Sequence, residues 1–567
     1  MTDPLGPPAA RPVAKGRASG ALRGGLGRAS AALASGTLVS RALGFISAAV
    51  LAWTIGQTGQ GANAFAIANQ LPNNIYAIIA GGLLSAVLVP QIVRAAHDDD
   101  GGQRFVNRLV TLGVVAFLVI ALLATLCAPL LVQLYTFSSG GALSPQGIAL
   151  AVAFAYWCLP QVFFYALYSL LGEVLNARGV FGPFTWAPVL NNVVAIAGLV
   201  VFTVLFGVNS ATDDPASWDA ARISLLAGSA TLGVAAQALI LLVFWRRTGL
   251  GFHPDFHWRG VGLGATGRAA GWTFGMILIT QMAGVVQGNV ALNAGAADAS
   301  VAVLRTAWLV FMLPHSIIAV SIATPYFTRM SGHARDGDLG AVRSDLSSSL
   351  RTILLLVTGS AVALVAAALP FAAFFARNGR EVLPIGVVLL AFLVGLVPFS
   401  ALFLVQRTFY ALGDTRTPFF VQLVQSGLFV AGALLTLLLP PDAVAAGIAI
   451  VTTIAGTVQA LLAAYLLRRR LGALDGRRVL RRIAVYLLAA VPALAAGLAV
   501  LFALGGLAPI GLGASGFALA GRPQEFLSVV IVGGVTAVVY LGVLGLTRIP
   551  ELGELVTPAL RMLRRRS

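Results

Sequence analysis

The chain has 567 residues, 58% of them hydrophobic and only 10% charged, with a mean hydropathy of +0.90 and a formal net charge of +17. Soluble proteins carry about 25% charged residues, so a soluble globular fold is excluded. Nothing in the apolar runs alternates with period two, which excludes a membrane β-barrel. An all-α integral membrane protein remains, since helices satisfy their own backbone in lipid. Strong basicity would suit nucleic acid, but the arginines lie between apolar runs rather than on one soluble face.

Residues 1–30 are polar, basic and rich in Gly and Ala, and include Lys15, the only lysine. They lack the apolar core of a signal peptide, so a disordered basic cytoplasmic tail is expected. Apolar segments follow near 31–54, 61–93, 105–135, 145–175, 183–207, 223–245, 269–293, 300–328, 350–376, 383–410, 417–440, 443–467, 483–505 and 525–547. Each approaches or exceeds the roughly 20 residues that a helix needs to span the hydrocarbon core. About fourteen transmembrane helices are therefore expected. Basic residues mark cytoplasmic loops. With both termini cytoplasmic, Arg94, Arg104, Arg178, Arg246, Arg259 and Arg329 fall inside, with the arginine block at 468–482. The outside loops then hold only Arg222, Arg377, Arg380 and Arg522. Cys127 and Cys158 lie within apolar runs and read as small buried hydrophobes.

Two short matches suggest a duplication. Leu71-Pro72-Asn73-Asn74-Ile75 in helix 2 answers Leu313-Pro314-His315-Ser316-Ile317 in helix 8. Ala177-Arg178-Gly179 with Pro183-Phe184 answers Ala411-Leu412-Gly413 with Pro418-Phe419. The separations are nearly equal, so two six-helix lobes in parallel repeat are expected, with two C-terminal helices appended. The expected divisions are a tail at 1–30, a first lobe at 31–247 and an inter-lobe cytoplasmic loop at 248–268. A second lobe at 269–470 and a final pair of helices with a short basic tail at 471–567 complete the chain.

No catalytic constellation is visible, so the chain reads as a non-enzyme without metal or cofactor. His253 and His257 are spaced i, i+4, but Pro254 between them argues against a helical metal pair. No P-loop is present, which argues against an ATP-driven pump. Intramembrane charges carry the information. Arg41 lies about ten residues, roughly 15 Å, into helix 1, near the bilayer midplane, where an arginine usually faces a polar cavity. Arg305 sits in the outer part of helix 8, where a cavity role and simple snorkelling are both open. Glu173, near the cytoplasmic end of helix 4, reads as a structural partner of Arg178 or Arg407. Helix 7 carries Gln281, Gln287, Asn289 and Asn293, a stripe that either glues helices or lines a cavity.

Ser40-Arg41-Ala42-Leu43-Gly44-Phe45, Leu71-Pro72-Asn73 and Val89-Pro90 resemble the opening of the MurJ (MviN) family. So do Leu175-Asn176-Ala177-Arg178 through Pro188-Val189-Leu190-Asn191-Asn192, and Phe409-Tyr410-Ala411-Leu412-Gly413-Asp414-Thr415-Arg416-Thr417-Pro418. The resemblance runs from about residue 31 to 470. It implies a fourteen-helix, two-lobed flippase of the multidrug/oligosaccharidyl-lipid/polysaccharide exporter superfamily. Such a flippase moves lipid II, the undecaprenyl-linked peptidoglycan precursor, to the periplasmic leaflet of the inner membrane by alternating access. It also implies a cationic central cavity, in which Arg41 matches the first cavity arginine.

Departures from the family are local. Ser47 stands where many members have a second arginine, Tyr76 and Ala77 where helix 2 often carries arginines, and Gly81 in place of a common acidic residue. The helix 8 arginine aligns with Leu309, and Arg305, one turn away on the same face, is its candidate substitute. The expected cavity set is Arg41, Arg305, Asn73, Ser47 and Gln287, with Glu173, Arg178, Arg407, Asp414 and Arg416 as a polar set on the cytoplasmic side. Expected partners are lipid II or a related undecaprenyl-pyrophosphate-linked glycan, membrane lipids and cell-wall synthesis proteins. A flippase for another polyprenyl-linked glycan and a non-transporting membrane scaffold for cell-wall synthesis remain as alternatives. A drug antiporter ranks last, because helices 1, 7 and 11 contain no Asp or Glu to carry a coupling ion.

Overall fold

A computed structural model describes residues 18–79, 100, 102–137, 143–208, 210–257, 267–295, 299–472, 474–506, 516–547 and 549–553. They are 87% helix and include no strand. Among the described residues, twelve helices are long and apolar enough to cross a membrane, and a bent pair at Gly379–Leu393 and Leu396–Ala411, taken as one span, makes a thirteenth. The second expected segment is Gln60–Ile79; its continuation, with Gly81 and Val89-Pro90, lies outside the described residues. The chain is thus a multi-pass helical membrane protein.

The first group of helices comprises α1 (Ala18–Ile55), α2 (Gln60–Ile79), α3 (Gln103–Leu126), α4 (Ala128–Thr136), α5 (Pro145–Cys158), α6 (Gln161–Ala177), α7 (Phe181–Phe206) and α8 (Ala220–Val243). The second comprises α9 (Gly267–Ala291), α10 (Val301–Pro314), α11 (Val320–Arg335), α12 (Leu339–Ala366), α13 (Ala368–Phe375), α14 (Gly379–Leu393), α15 (Leu396–Ala411), α16 (Arg416–Leu435) and α17 (Val444–Leu471). Within the first, α7 packs on α1 and α8, α5 on α2 and α6 on α3. Within the second, α16 packs on α9 and α17, and α14 on α10. Finally α18 (Gly476–Ala503) and α19 (Arg522–Leu546) pack on each other and on α12.

Backbone details repeat between the groups. After α6, Gly179 takes φ +76, with Val180 N–H bonded to Leu175 O and Gly179 N–H to Asn176 O. After α15, Gly413 takes φ +72, with Asp414 N–H bonded to Phe409 O and Gly413 N–H to Tyr410 O. Both are Schellman caps, which need a residue in the left-handed region and favour glycine there. The third span breaks at Cys127 (φ −88, ψ 14) and the ninth at Ala367 (φ −96, ψ 11), each between a long and a short helix. These matched interruptions give the duplicated motifs a physical basis.

Two expectations are corrected here. Residues 18–30 are helical and continue into α1, so the disordered tail does not extend to residue 30; residues 1–17 are not described. Cys158 is buried as expected, but Cys127 is exposed at the break between α3 and α4.

Candidate functional site

The site begins with the way α10 starts. Ser300 Oγ donates to Ala291 O at 2.8 Å, tying this end to α9. The backbone N–H of Ala302 donates to Asn63 Oδ1 of α2 at 3.2 Å. That bond satisfies one of the orphan donors of a helix N-terminus with a side chain from the other lobe. One turn further on, α10 presents Arg305 between the lobes.

Two neighbouring chambers open around it. The first, about 470 Å³, is walled by α1, α2, α7, α8 and α10 and includes Ser47, Asn69, Asn192 and Thr306. The second, about 420 Å³, is walled by α2, α4, α9, α10, α14, α16 and α17 and includes Gln281, Gln287, Gln422 and Gln425. Ala66, Gln70, Asn73, Arg305 and Trp308 belong to both. Trp308 is fixed by Phe311 at 4.8 Å and Phe392 at 5.5 Å between ring centroids.

Arg305 is exposed to this space. It makes no hydrogen bond or ion pair with a described residue, and no described carboxylate lines either chamber. An arginine stays protonated in proteins and offers five N–H donors. The amides around it are partly tied to one another. Gln70 Nε2 donates to Asn74 Oδ1 at 2.9 Å, and Asn74 Nδ2 to the Tyr135 hydroxyl at 2.8 Å. Gln459 Nε2 donates to Gln422 Oε1 at 2.8 Å, and Gln422 Nε2 to Gln425 Oε1 at 2.8 Å. Such a space suits an anion with attached polyol or amide groups. Among the described residues, no cluster of three or more metal-ligating side chains occurs.

The structure thus gathers Arg305, Asn73, Ser47 and Gln287 of the expected cavity set. Arg41 is the exception: it lines neither chamber. Arg41 lies within the helix α1, Ala18–Ile55. It is half-exposed, three residues before the chamber residue Gly44 and hence one turn away on the same face. The stripe on α9 divides. Gln281 and Gln287 face the chamber, whereas Asn289 Nδ2 holds Leu134 O of α4 at 2.8 Å.

The other polar set does not form one site. Glu173 is half-buried on α6 and pairs with neither Arg178 nor Arg407. Arg178 caps α6 through its backbone N–H. Arg407 stacks on Phe403 at 5.0 Å and Phe327 at 5.3 Å, so the sequence spacing that suggested an ion pair is overridden by aromatic packing. Asp414 caps the start of α16, accepting from Thr417 N–H at 2.9 Å and Thr417 Oγ1 at 2.7 Å, and pairs with Arg470. Burial raises its pKa, but these donors outweigh it and hold the carboxyl below its usual range. Arg416 stacks on Phe420 and Trp272. Residues 251–257 have no regular secondary structure and lie along α3. Gly251 N–H donates to Gln103 Oε1 at 3.0 Å and Arg108 Nε to Asp255 at 2.9 Å. The backbone N–H of His257 and the Arg108 guanidinium draw the Asp255 pKa down to about 2.

Gln57, Gln70, Gln422, Gln425 and Thr306 were not singled out from sequence. The i, i+3, i+4 pattern of Gln422, Gln425 and Ser426 would have flagged helix 11, as the similar stripe did helix 7.

The family model described as Lipid II flippase MurJ matches residues 51–510. A probable lipid II flippase MurJ of Rhizobium meliloti (strain 1021) is 27% identical over 447 residues, covering 76% of this chain and 78% of that protein. One of Haemophilus influenzae is 26% identical over 479 residues, covering 79% and 87%. Among solved structures, a lipid II flippase MurJ in an inward closed conformation aligns with a TM-score of 0.66 and 18% identity, covering 90% of this chain and 98% of that one. An inward-facing MATE family transporter aligns with a TM-score of 0.61 and 19% identity, covering 77% and 96%. These two structural likenesses concern the fold.

Proposed function

The chain belongs to the family described as lipid II flippase MurJ, and from that premise we propose that it carries lipid II from the cytoplasmic to the periplasmic leaflet of the inner membrane by alternating access. The observation that carries this reading is Arg305, a guanidinium with no ionic partner among the described residues, exposed to a polar chamber at the lobe interface. Moving a lipid head group through a bilayer needs such a compartment, because a pyrophosphate in hydrocarbon would lose its hydration without compensation. A guanidinium can bind phosphate bidentately, and the amides of both chambers can exchange water bonds for bonds to sugar and peptide. In this reading both termini are cytoplasmic, and Arg41, one turn from the chamber toward the inner end of α1, receives the head group first. The division into lobes at 31–247 and 269–470 is part of the same proposal.

Ser47 and Leu309, which line the first chamber, leave it poorer in arginine than the family pattern. That sparseness favours a second reading, transport of another polyprenyl-linked glycan. Complementation separates the two. Expression in a host depleted of its own lipid II flippase is expected to restore growth. Failure to do so by an abundant, membrane-inserted protein would reject lipid II as its substrate and favour the second reading.

A further inference from the structure

At one end of the lobe interface, two charged side chains that the transport reading leaves unused are deeply buried. Glu381 is 1% exposed and the Arg377 side chain 7%. A buried carboxylate is tolerated only where its lone pairs are filled, and here the donors come from both lobes. Glu381 Oε1 accepts from the backbone N–H of Gln57 at 3.1 Å and of Thr58 at 3.4 Å, and from the Thr58 hydroxyl at 3.3 Å. Its Oε2 accepts from the Arg377 backbone N–H at 2.7 Å. Arg377 in turn reaches into the first lobe. Its Nη2 donates to both oxygens of Asp213, at 2.7 and 2.6 Å, and its Nη1 to Thr212 Oγ1 at 2.9 Å.

The turn between α1 and α2 is shaped for this contact. A Cβ on Gly56 would stand 2.9 Å from the Arg377 guanidinium carbon, and one on Gly59 2.8 Å from Asp213 Oδ1. Both glycines also have positive φ, +82 and +94. The network then continues into the chamber. Gln57 lines it, and Gln57 Oε1 accepts from the Thr306 hydroxyl at 2.7 Å, beside Arg305.

We propose that Glu381, Arg377, Asp213 and the Gln57–Thr58 turn form a latch that holds the outer end of the chamber shut, released when an anion at Arg305 takes the Thr306 hydroxyl proton bond away from Gln57. The inference rests on the alternating-access reading, which places residues 56–59, 212–213 and 377–381 outside. A hydroxyl has one proton to donate, so an anion bound beside Thr306 competes directly with Gln57. Loss of that bond frees the turn whose N–H groups hold Glu381. These are positioning residues: they act on access to the chamber and need not touch the substrate.

The test uses the full chain in its membrane, with Cys127→Ala and Cys158→Ala and a reporter at Ala195→Cys, a position that lines the first chamber. A membrane-impermeant maleimide is applied outside, to intact cells, or inside, to inverted vesicles. The parent is expected to label from inside only. Arg377→Ala and Glu381→Gln are expected to raise outside labelling roughly tenfold or more, the shift that loss of a charge-assisted bond produces in a two-state equilibrium. The swapped pair Arg377→Asp with Asp213→Arg is expected to label outside less than Arg377→Ala, because the ion pair is rebuilt with its ends reversed. A parent that labels from outside as readily as from inside rejects the alternating-access reading itself. A shut parent with variants equally shut at parental abundance rejects the latch alone. A swap as open as Arg377→Ala rejects it too, as does loss of abundance in all three variants, which would mark a folding clamp.

Discussion

Arg305 and Arg41 both interrupt apolar helices, yet their surroundings differ. Arg305 is exposed to both chambers, beside Thr306 and Trp308, whereas Arg41 lies one turn outside the first. The residue that meets the substrate's pyrophosphate in the chamber is therefore Arg305 under the proposed function. Arg305→Ala is expected to slow flipping in proteoliposomes roughly ten- to a hundredfold, the worth of a hydrogen-bonded charge, at unchanged protein abundance. Arg305→Lys should keep part of the rate, since lysine supplies the charge but not the bidentate fork. Arg41→Ala should cost less than Arg305→Ala. The opposite ranking would move the anion site to the mouth of the chamber. Sequence alone favoured Arg41, because depth was counted from the start of an apolar run. Which of the two arginines faces a chamber is set by packing, which no count along one helix reveals.

At the scale of elements, close approach between helices is governed by small residues. Gly359 of α12 is an example: a Cβ there would lie 2.7 Å from the Tyr540 ring of α19. Tyr540 is almost fully buried, and its hydroxyl donates to Leu355 O at 2.9 Å. Gly359→Val is expected to destabilise this contact by about 1–3 kcal/mol, the usual cost of overpacking, seen as a lower thermal midpoint in detergent. An unchanged midpoint would mean that α18 and α19 do not depend on this seam. The elements themselves were largely legible in the sequence. Apolar length located the spans, and the Arg178-Gly179 and Leu412-Gly413 motifs, read in the sequence only as a repeat, form the paired Schellman caps after α6 and α15. The π-helical turn His315–Ala319 between α10 and α11 was not legible, since Pro314 signals a helix break without specifying its geometry.

For the whole molecule, energy coupling follows from what the lobes place in the bilayer. Helices α9 and α16, which carry Gln281, Gln287, Gln422 and Gln425 toward the second chamber, contain no Asp or Glu. A site built from neutral amides has no carboxylate to hold a sodium ion. Membrane potential acts instead on any charge that moves, at about 2.3 kcal/mol per charge per 100 mV. Flipping in vesicles at a fixed potential is expected to be independent of sodium. A rate that rises with sodium and saturates would reveal an ion site outside these helices.

Amino-acid order by itself determined the class, the span count to within one or two, the duplication and the family. These depend on local quantities: apolar length set by bilayer thickness, helix-ending glycines and short motifs. It also supplied Arg305, Asn73, Ser47 and Gln287 as cavity candidates. Only the tertiary structure decided how these come together. Asn63 caps α10 from another lobe, Arg407 chooses aromatic faces over Glu173, and Glu381 finds its donors at Gln57 and Thr58. Each of these contacts joins residues far apart in the chain. A buried polar group must find its partner wherever packing brings one, and that choice is written in the arrangement of helices rather than in any one of them.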